Sequence, residues 1–334
     1  MTSSAMAERV ADGALGWIDE NLSYFDPFKD GELTGLCEIP LTELAILTYS
    51  AQRSARHVDA AVIARFLDFM EAAYRRPVYQ ERPFREPETL VSHLVVAAAL
   101  AHGRRLDGAS YQRVVERLVR ASTVTAPSLP PHRMMELRHA LDLSGVRHDL
   151  PSYPALYRGT MPARPVNPVY VTRAEVYVLT HVIFYAADLG HRPARGMSDG
   201  ERGRLARLVD RLLGMCIAAR DWDLTAELIL SARCLRRPAF FEPWGWECLV
   251  ATQRADGSVP GLRARLAQAE AAPRDPARAG ARTRRETPGE SLGELNGEPD
   301  TEPGAGPDAE ATVDSRYHTT LVSALAALAT LRDG

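Results

Sequence analysis

Residues 88–104 read ETLVSHLVVAAALAHGR, a segment that places apolar side chains on nearly every face of a helix. Residues 171–189 and 315–332 share this pattern. A helix that is apolar all round is typically buried in a protein core. The helices predicted over 58–76 and 200–219 are instead amphipathic and rich in arginine. One face of each is therefore expected to contact water.

The buried and the amphipathic helices alternate along the chain. Helical periodicity recurs throughout the sequence, and strand signals are nearly absent. The predicted helices span 5–22, 41–53, 58–76, 88–104, 109–122, 132–143, 171–189, 200–219, 222–236, 239–254 and 315–332. Such alternation is what an inner ring of helices surrounded by an outer ring would produce. We predict an all-α fold, specifically an α/α toroid.

Weak internal repeats favour the same architecture. LTELAIL at 41–47 is similar to LTAELIL at 224–230. The predicted inner helices start at 41, 88, 132, 171, 222 and 315, and five of the six follow a predicted outer helix. The sixth outer helix is replaced by the proline-rich stretch 146–170, which cannot form a regular helix. The toroid therefore has about six helical hairpins, one of them irregular.

The composition is that of one globular domain spanning 1–334. The chain is 46% hydrophobic and 25% charged, which is ordinary for a protein with a buried core. Residues 265–313 are rich in Pro, Gly, Glu and Arg and contain almost no large apolar residue. We predict that this segment is a disordered insertion within the last hairpin.

Charge and targeting signals predict a cytoplasmic protein. A formal net charge of −3 creates no field that would attract nucleic acid or a membrane surface. No segment approaches the roughly 20 apolar residues of a membrane helix, and the amino-terminal stretch is unlike a secretory signal. The four cysteines lack zinc-site spacing and are expected to be free thiols. Abundant Ala and Arg, with Lys29 as the single lysine, are typical of a GC-rich genome such as that of an actinobacterium.

Three short segments in the last third of the chain carry a resemblance to a known superfamily. They are QRADGS at 253–258, DWD at 221–223 and DSRYHTT at 314–320. These segments resemble, respectively, a Q-x-x-x-G hairpin turn, a D-x-C motif and a D-x-Y-H-T segment of the α/α toroids of terpenoid cyclases and protein prenyltransferases. The resemblance implies that His318 is the counterpart of a zinc-ligating histidine and that Asp221 matches a ligating aspartate. Asp223 stands where that family has cysteine, so the resemblance favours a related fold more than prenyl transfer.

The leading candidate site combines Asp221, Asp223, His181 and His318 at the starts of predicted inner helices. Two carboxylates and two imidazoles that converge there would suit a divalent metal, zinc or iron. Asp223, His318 and Asp221 are the candidate catalytic residues, as metal ligands or as an acid–base set. The structural alternative is that the aspartates cap a helix and His318 hydrogen-bonds to a neighbouring helix.

Further residues are candidates for lining the pocket. Tyr177, His181 and Tyr185 follow i, i+4, i+8 spacing and so share one helix face. Glu43 and Glu227 are repeat-equivalent acids in apolar helices, where a carboxylate needs a partner. The candidate substrate-binding residues are Tyr177, His181, Glu227, Tyr317 and His93. For His93 and His181, hydrogen-bonded core histidines are the alternative, and the aromatic cluster Phe240, Phe241, Trp244 and Trp246 is expected to pack the ring.

These features predict a small-molecule enzyme that acts in a central pocket, as a tailoring or cyclisation step in bacterial secondary metabolism. One alternative is a catalytically silent toroid that binds a protein or peptide. Another is a metal-free, terpene-cyclase-like acid, because Asp221-Trp222-Asp223 is faintly similar to the D-x-D-D motif of those enzymes. The expected partner is a small molecule, with neither nucleic acid nor membrane, and the chain is a candidate homodimer.

Overall fold

The computed structural model describes residues 1–29, 31–33, 38–54, 58–107, 113, 115–117, 119, 129–261 and 316–333. These residues are predominantly helical, as predicted. Two-residue strands, Phe28–Lys29 and Glu32–Leu33, pair antiparallel within this part of the chain. The predicted insertion 265–313 lies outside the described residues, and the predicted helix 109–122 is described at 113, 115–117 and 119 alone.

Twelve α-helices have defined bounds within the described ranges. They are α1 (Ser3–Glu20), α2 (Glu38–Gln52), α3 (Ala60–Tyr74), α4 (Pro77–Arg85), α5 (Leu90–His102), α6 (Pro131–Leu143), α7 (Tyr153–Arg158), α8 (Arg173–Ala187), α9 (Asp199–Ala219), α10 (Trp222–Leu235), α11 (Glu242–Thr252) and α12 (Tyr317–Asp333). Helix α4 was missed by the sequence prediction, because Pro77 and Pro83 interrupt its helical pattern.

Six of these helices, here called the core helices, contact one another in a closed cycle. Helix α2 packs on α5, α5 on α6, α6 on α8, α8 on α10, α10 on α12, and α12 returns to α2. These are the six helices whose starts were predicted to be inner. In α10 thirteen of the fourteen residues are buried, so this helix has hardly any exposed face. The apolar pattern of the sequence reflects that burial.

The amphipathic helices flank this cycle. Helix α1 packs on α12 and α11, α3 packs on α2 and α5, and α9 packs on α10 and α11. Each of the three buries one stripe of apolar residues and leaves polar residues exposed. These three helices thus cover part of the outer surface of the cycle.

Local capping chemistry fixes where the helices begin and end. Thr172 and Glu175 form the predicted capping box at the start of α8, with each side chain bonded to the other's backbone N–H. Ser198 and Glu201 do the same for α9. Asp221 is the N-cap residue of α10, and its side chain accepts a hydrogen bond from the N–H of Leu224 at 3.2 Å. The start of α10 is therefore held rigidly.

The proline-rich stretch between α6 and α8 is irregular, as predicted. It contains the six-residue helix α7 and two single 3₁₀ turns, Met161–Ala163 and Pro168–Tyr170. Arg204 of α9 donates hydrogen bonds to the carbonyl oxygens of Pro162 at 2.9 Å and Arg164 at 2.9 Å. Proline lacks an amide donor, so this segment is held through its carbonyls instead.

The Gln253–Gly257 turn docks onto α1. Gln253 Nε2 donates to the carbonyl oxygens of Val10 at 3.1 Å and Gly257 at 3.0 Å. Gly257 has a φ of 88°, and a Cβ atom there would lie 2.1 Å from the carbonyl oxygen of Gly13. Only glycine permits that approach. The hydrogen bonds of Gln253 and the close contact at Gly257 together explain the two fixed positions of the Q-x-x-x-G pattern.

Two further sequence expectations concern membrane helices and thiols. Of the helices described, none combines the length and the hydropathy that a bilayer crossing needs. Cys216, Cys234 and Cys248 form no disulfide within the described part of the chain, and Cys37 lies outside it.

Candidate functional site

The starts of four core helices, α2, α8, α10 and α12, meet at one end of the cycle. Their side chains form a polar group, here called the Asp–His cluster. Its members are Glu43, Arg173, Tyr177, Thr180, Asp221, Asp223, Glu227, His318 and Thr319. All nine residues lie at the N-cap or within the first eight residues of these helices, so the four helices share one direction.

Arg173 joins the two aspartates that open α10. Its Nε donates to Asp221 Oδ2 at 2.9 Å, and its Nη2 donates to Asp223 Oδ2 at 3.1 Å. The guanidinium also lies 4.8 Å from the centre of the Tyr177 ring. Burial is the largest single influence and lowers the pKa of Arg173, but the hydrogen bond to Asp221 and the nearby acidic groups of Tyr177, Asp221 and Asp223 together outweigh burial and raise the pKa. One arginine therefore bridges α8 to α10.

Asp223 accepts hydrogen bonds from three side chains. Besides Arg173, the hydroxyl of Tyr177 donates to Asp223 Oδ2, and Thr319 Oγ1 donates to Asp223 Oδ1 at 3.2 Å. Burial, together with the charges of Asp223 and Glu227, raises the pKa of Tyr177 far above its usual value. The phenol is thus protonated at neutral pH and donates a hydrogen bond to Asp223. Both oxygens of Asp223 are occupied by donors.

His318 lies among three carboxyl groups. Its Nδ1 is 2.9 Å from Glu43 Oε1, and its Nε2 is 3.5 Å from Asp223 Oδ1 and 3.6 Å from Glu227 Oε1. The His318 side chain is 34% exposed, whereas that of Glu227 is 1% exposed. The imidazole therefore covers buried carboxylates and presents part of its own surface to solvent.

The proton of His318 is held strongly. Burial lowers the pKa of a histidine, but the charges of Glu43 and Asp223 and hydrogen bonds to Glu227 and Glu43 outweigh burial here. The pKa of His318 is accordingly raised well above its ordinary value. The imidazolium is the form expected at neutral pH.

Glu227 is the deepest carboxylate of the cluster. Thr180 Oγ1 contacts Glu227 Oε2 at 2.5 Å and Tyr177 O at 3.0 Å. A single hydroxyl hydrogen supports one of these bonds at a time, and the charge on a carboxylate makes Glu227 the stronger acceptor. The cluster contains four carboxyl groups, Asp221, Asp223, Glu227 and Glu43, and two basic groups, Arg173 and His318. Acidic groups are therefore in formal excess.

A family profile matches residues 11–328, almost the whole chain. The chain belongs to the family described as Domain of unknown function (DUF6895). No curated protein and no solved structure matches it significantly. The matched range includes every member of the Asp–His cluster, so in this DUF6895 protein the cluster belongs to the family domain itself.

The structure brings together six of the residues that the sequence singled out. They are Glu43, Asp221, Asp223, Tyr177, Glu227 and His318. Tyr317 borders the cluster, because its ring centre lies 6.2 Å from that of His318, and it also packs against Tyr24 and Phe25, at 5.1 and 6.2 Å. That position suits aromatic packing against the segment that follows α1.

His181 and His93 lie apart from the carboxylates. The His181 ring stacks between Tyr177 and Tyr185, at 6.2 and 5.9 Å. The predicted stripe on one face of α8 is therefore present, but its imidazole contacts aromatic rings. His93 is buried elsewhere, with Nε2 3.3 Å from the hydroxyl of Tyr74, and burial lowers its pKa to about 4.

The predicted metal-ligand set fits poorly. Among the described residues, no group of three His, Cys, Asp or Glu is arranged to hold a metal ion. The oxygens of Asp223 already accept from Arg173, Tyr177 and Thr319, and Asp221 accepts from Arg173 and the amide of Leu224. These carboxylate oxygens would have to give up their hydrogen bonds before they could bind a metal ion.

Sequence reasoning missed Arg173. A basic residue in the first turn of a helix opposes the positive end of the helix dipole. An arginine at the start of a buried helix therefore needs carboxylate partners, and that signal could have found it. Glu43 was noted as a repeat equivalent of Glu227, and both contact His318. Thr180 and His181 are adjacent in the chain, but it is the Thr180 hydroxyl, and not the His181 imidazole, that contacts Glu227.

The opposite end of the core helices carries a second polar group, centred on Asp188. Asp188 ends α8, and its side chain is 4% exposed. Its Oδ2 contacts Arg53 at 2.7 Å and Arg192 at 3.5 Å, and its Oδ1 lies 3.8 Å from His139. This end of the molecule is dominated by basic groups.

His191 lies in the same region. It contacts Ser50 at 3.1 Å through Nε2 and Arg332 at 3.0 Å through Nδ1. Burial and the charges of Arg332 and Arg53 lower its pKa to about 3. The neutral imidazole therefore accepts a hydrogen bond from Arg332.

Proposed function

We propose that the DUF6895 domain is an α/α toroid. The closed cycle of six core helices supports this, as does the meeting of helix starts at one end. The three flanking helices fit an incomplete outer ring, in which the irregular segment between α6 and α8 takes the place of one outer helix. The docked Gln253–Gly257 turn fits the resemblance to terpenoid cyclases and prenyltransferases.

We further propose that the protein is a small-molecule enzyme whose proton donor is His318. The observation that carries this is the position of one partly exposed imidazole over three carboxyl groups. A group that holds a proton at neutral pH and still faces solvent can donate it to a bound substrate. After donation, Asp223 and Glu227 favour reprotonation of Nε2.

The neighbouring residues have positioning roles in this scheme. Glu43 accepts from Nδ1 and so orients the ring. Thr180 and Thr319 hold Glu227 and Asp223 in place, and Arg173 ties Asp223 to Asp221. The formal excess of acidic groups favours a neutral or cationic substrate over an anionic one.

The metal-free scheme has better support than a metal-dependent one, because the oxygens of the predicted ligands are already committed to protein donors. A terpene-cyclase-like acid at Asp223 also has little support. Both oxygens of Asp223 already accept hydrogen bonds from Arg173, Tyr177 and Thr319, so neither is free to face an alkene. The metabolic role as a tailoring or cyclisation step stays a proposal.

A protein- or peptide-binding module is the second candidate, and one surface feature favours it. Phe240 and Trp244 are 68% and 45% exposed, and their rings pack 5.0 Å apart. Exposed aromatic pairs are common at recognition surfaces. This patch lies on α11 and the turn before it, away from the Asp–His cluster.

Incubation with a metabolite extract of the source organism tests the enzyme proposal. The protein is added at a known molar amount, and mass spectrometry follows every metabolite. Consumption of a compound in large molar excess over the protein, abolished in His318→Gln, is the expected result. Glu247→Gln, a change on the exposed face of α11, is the matched control and should stay active.

Two outcomes would contradict the proposal. Consumption that His318→Gln leaves unchanged would remove His318 as the proton donor. The absence of any metabolite consumed beyond the molar amount of protein would favour the binding module. Circular dichroism of each variant establishes that its helices are intact.

A further inference from the structure

A cleft of about 480 Å³ opens between the end of α2, the start of α3 and the end of α5. None of its lining residues belongs to the Asp–His cluster. Pockets that bind small molecules have volumes of about 300–1,000 Å³ and are mostly apolar with a few polar groups. The cleft is therefore large enough to be a binding site in its own right.

The lining of the cleft contains an apolar group of residues, called the wall, and a polar and basic group, called the rim. The wall is formed by Ala51, Val58, Ala60, Ile63, Ala64 and Leu67. The rim carries His102, Arg104 and Arg105 at the end of α5, together with Gln52 from α2. This division into a hydrocarbon surface and a cationic edge matches a molecule with an apolar body and an acidic group.

Arg104 is the uncommitted charge of the rim. Arg105 is paired with Asp68 at 2.6 Å, whereas the guanidinium of Arg104 makes no ion pair with the described residues. The carbonyl ends of α2 and α5 carry partial negative charge, which a cation here offsets. The pKa of His102 is lowered, first by burial and then by the charge of Arg53. Arg53 therefore brings a further guanidinium near the rim.

Gln52 adds a fixed polar group. Its Nε2 donates to the carbonyl oxygen of Ala99 at 3.3 Å, which bridges the ends of α2 and α5. Its Oε1 is buried and has no hydrogen-bond partner among the described residues. A buried acceptor without a donor is uncommon in folded proteins.

We propose that this cleft binds a small amphipathic carboxylate, with its apolar chain against α3 and its carboxylate at Arg104. The site is separate from the Asp–His cluster and does not depend on the proposed catalytic role of His318. A carboxylate that meets a guanidinium forms charge-assisted hydrogen bonds, the stronger class. Arg104 thus gives the cleft its preference for an acid over an alcohol of equal length.

Isothermal titration of the full chain with octanoate and with octan-1-ol tests the proposal. The two probes share their chain and differ in the head group. We expect saturable 1:1 binding of octanoate, and binding of octan-1-ol about tenfold weaker, the factor typical of losing one hydrogen bond to a charged group. No saturable octanoate binding, or equal affinity for both probes, would overturn the proposal.

Variants locate the binding. Arg104 has a φ of 59°, a conformation that asparagine tolerates, so Arg104→Asn should remove the charge and leave the fold intact. We expect this change to weaken octanoate about tenfold and leave octan-1-ol unchanged. Ala64→Trp should fill the cleft and abolish binding of both probes.

Arg85→Gln is the matched control, because Arg85 is 74% exposed on α4 and does not line the cleft. It should bind both probes as the unchanged protein does. If Ala64→Trp fails to fold, Arg104→Asn alone decides the matter. An unchanged octanoate affinity in Arg104→Asn would refute recognition of the acid group at this site.

Discussion

A histidine lies at each end of the core helices, and the two histidines have opposite protonation states. At the starts of the helices, His318 lies among Glu43, Asp223 and Glu227, and its pKa is raised well above its ordinary value. At the ends, burial and the charges of Arg332 and Arg53 lower the pKa of His191 to about 3. Burial acts in the same direction on both rings. The charges of the neighbouring side chains therefore decide which imidazole carries a proton.

Helix dipoles explain part of this division. Acids are favoured at the positive starts of helices and basic groups at their negative ends. Asp221 and Asp223 at the start of α10 follow that rule, as do Arg53 and Arg332 at the ends of α2 and α12. Arg173 violates it and is compensated by two carboxylates. The exception marks the candidate catalytic end of the molecule.

The largest expected effect concerns the basic end. Asp188→Asn keeps the size and the left-handed backbone of this helix end but removes the charge that pairs with Arg53. Losing one partner of a largely buried pair should lower the free energy of unfolding by about 3 kcal/mol. Urea unfolding followed by circular dichroism measures it. Asp199→Asn, at a 73% exposed side chain, is the control and should change stability by less than about 0.5 kcal/mol. Equal losses of unfolding free energy in Asp188→Asn and Asp199→Asn would show that the buried charge of Asp188 does not stabilise this end of the molecule.

The next effect is the pH dependence that His191 imposes. Its pKa is lowered to about 3 in the folded protein, so between that value and about 6.5 the unfolded chain binds more protons than the folded one. Stability should therefore fall as the pH drops below 6.5, by up to about 1.4 kcal/mol per pH unit for this group. In His191→Gln the slope between pH 6.5 and 4 should be shallower. An unchanged slope in urea unfolding at several pH values would contradict the neutral state of His191.

The third test addresses the acidic end. Glu43→Gln removes the carboxylate 2.9 Å from His318 and should lower the titration midpoint of His318 by about 1 pH unit. Nuclear magnetic resonance of the histidine ring nitrogens measures this midpoint without any substrate. Glu81→Gln, at a 59% exposed residue of α4, should leave it unchanged. A His318 midpoint at or below 6.5 in the unaltered protein would remove the contrast between the two ends.

The His318 interaction also has a definite sign in stability. Because its pKa is raised on folding, its contribution is complete below the unfolded value of about 6.5 and is lost as the pH rises through the folded value. The stability difference between the protein and His318→Gln should therefore shrink above neutral pH. Growth of that difference with rising pH would contradict the assignment.

The smallest effect is expected for Arg173. Its side chain is 41% exposed, so solvent weakens its ion pairs with Asp221 and Asp223. Arg173→Gln should lower the free energy of unfolding by about 0.5–1 kcal/mol, as measured by urea unfolding. Arg158→Gln, at an exposed arginine of α7, serves as control. A loss of several kcal/mol would mean that the bridge between α8 and α10 supports the whole fold.

The parts of the fold that depend on local sequence were predictable. Apolar periodicity and capping residues act within one or two turns, so the six core helices and the Thr172–Glu175 box could be inferred directly. Contacts between helices depend on side-chain direction and exact rotation, which periodicity does not fix. That is why His181, one residue after Thr180, points at aromatic rings while Thr180 contacts Glu227. The same limit explains why His93 lies beside Tyr74 and away from the Asp–His cluster.

The contact between Glu43 and His318 joins residues 275 positions apart. Helix α12 packs against α1, α2 and α10, and so closes a cycle whose other members precede it in the chain. Contacts of such long sequence separation are slow to form. On the ribosome, the earlier helices must wait, with apolar faces uncovered, until residue 318 has emerged. The pairing that defines the candidate catalytic end is therefore one of the last to be made, and a chaperone that shields those faces would limit aggregation until then.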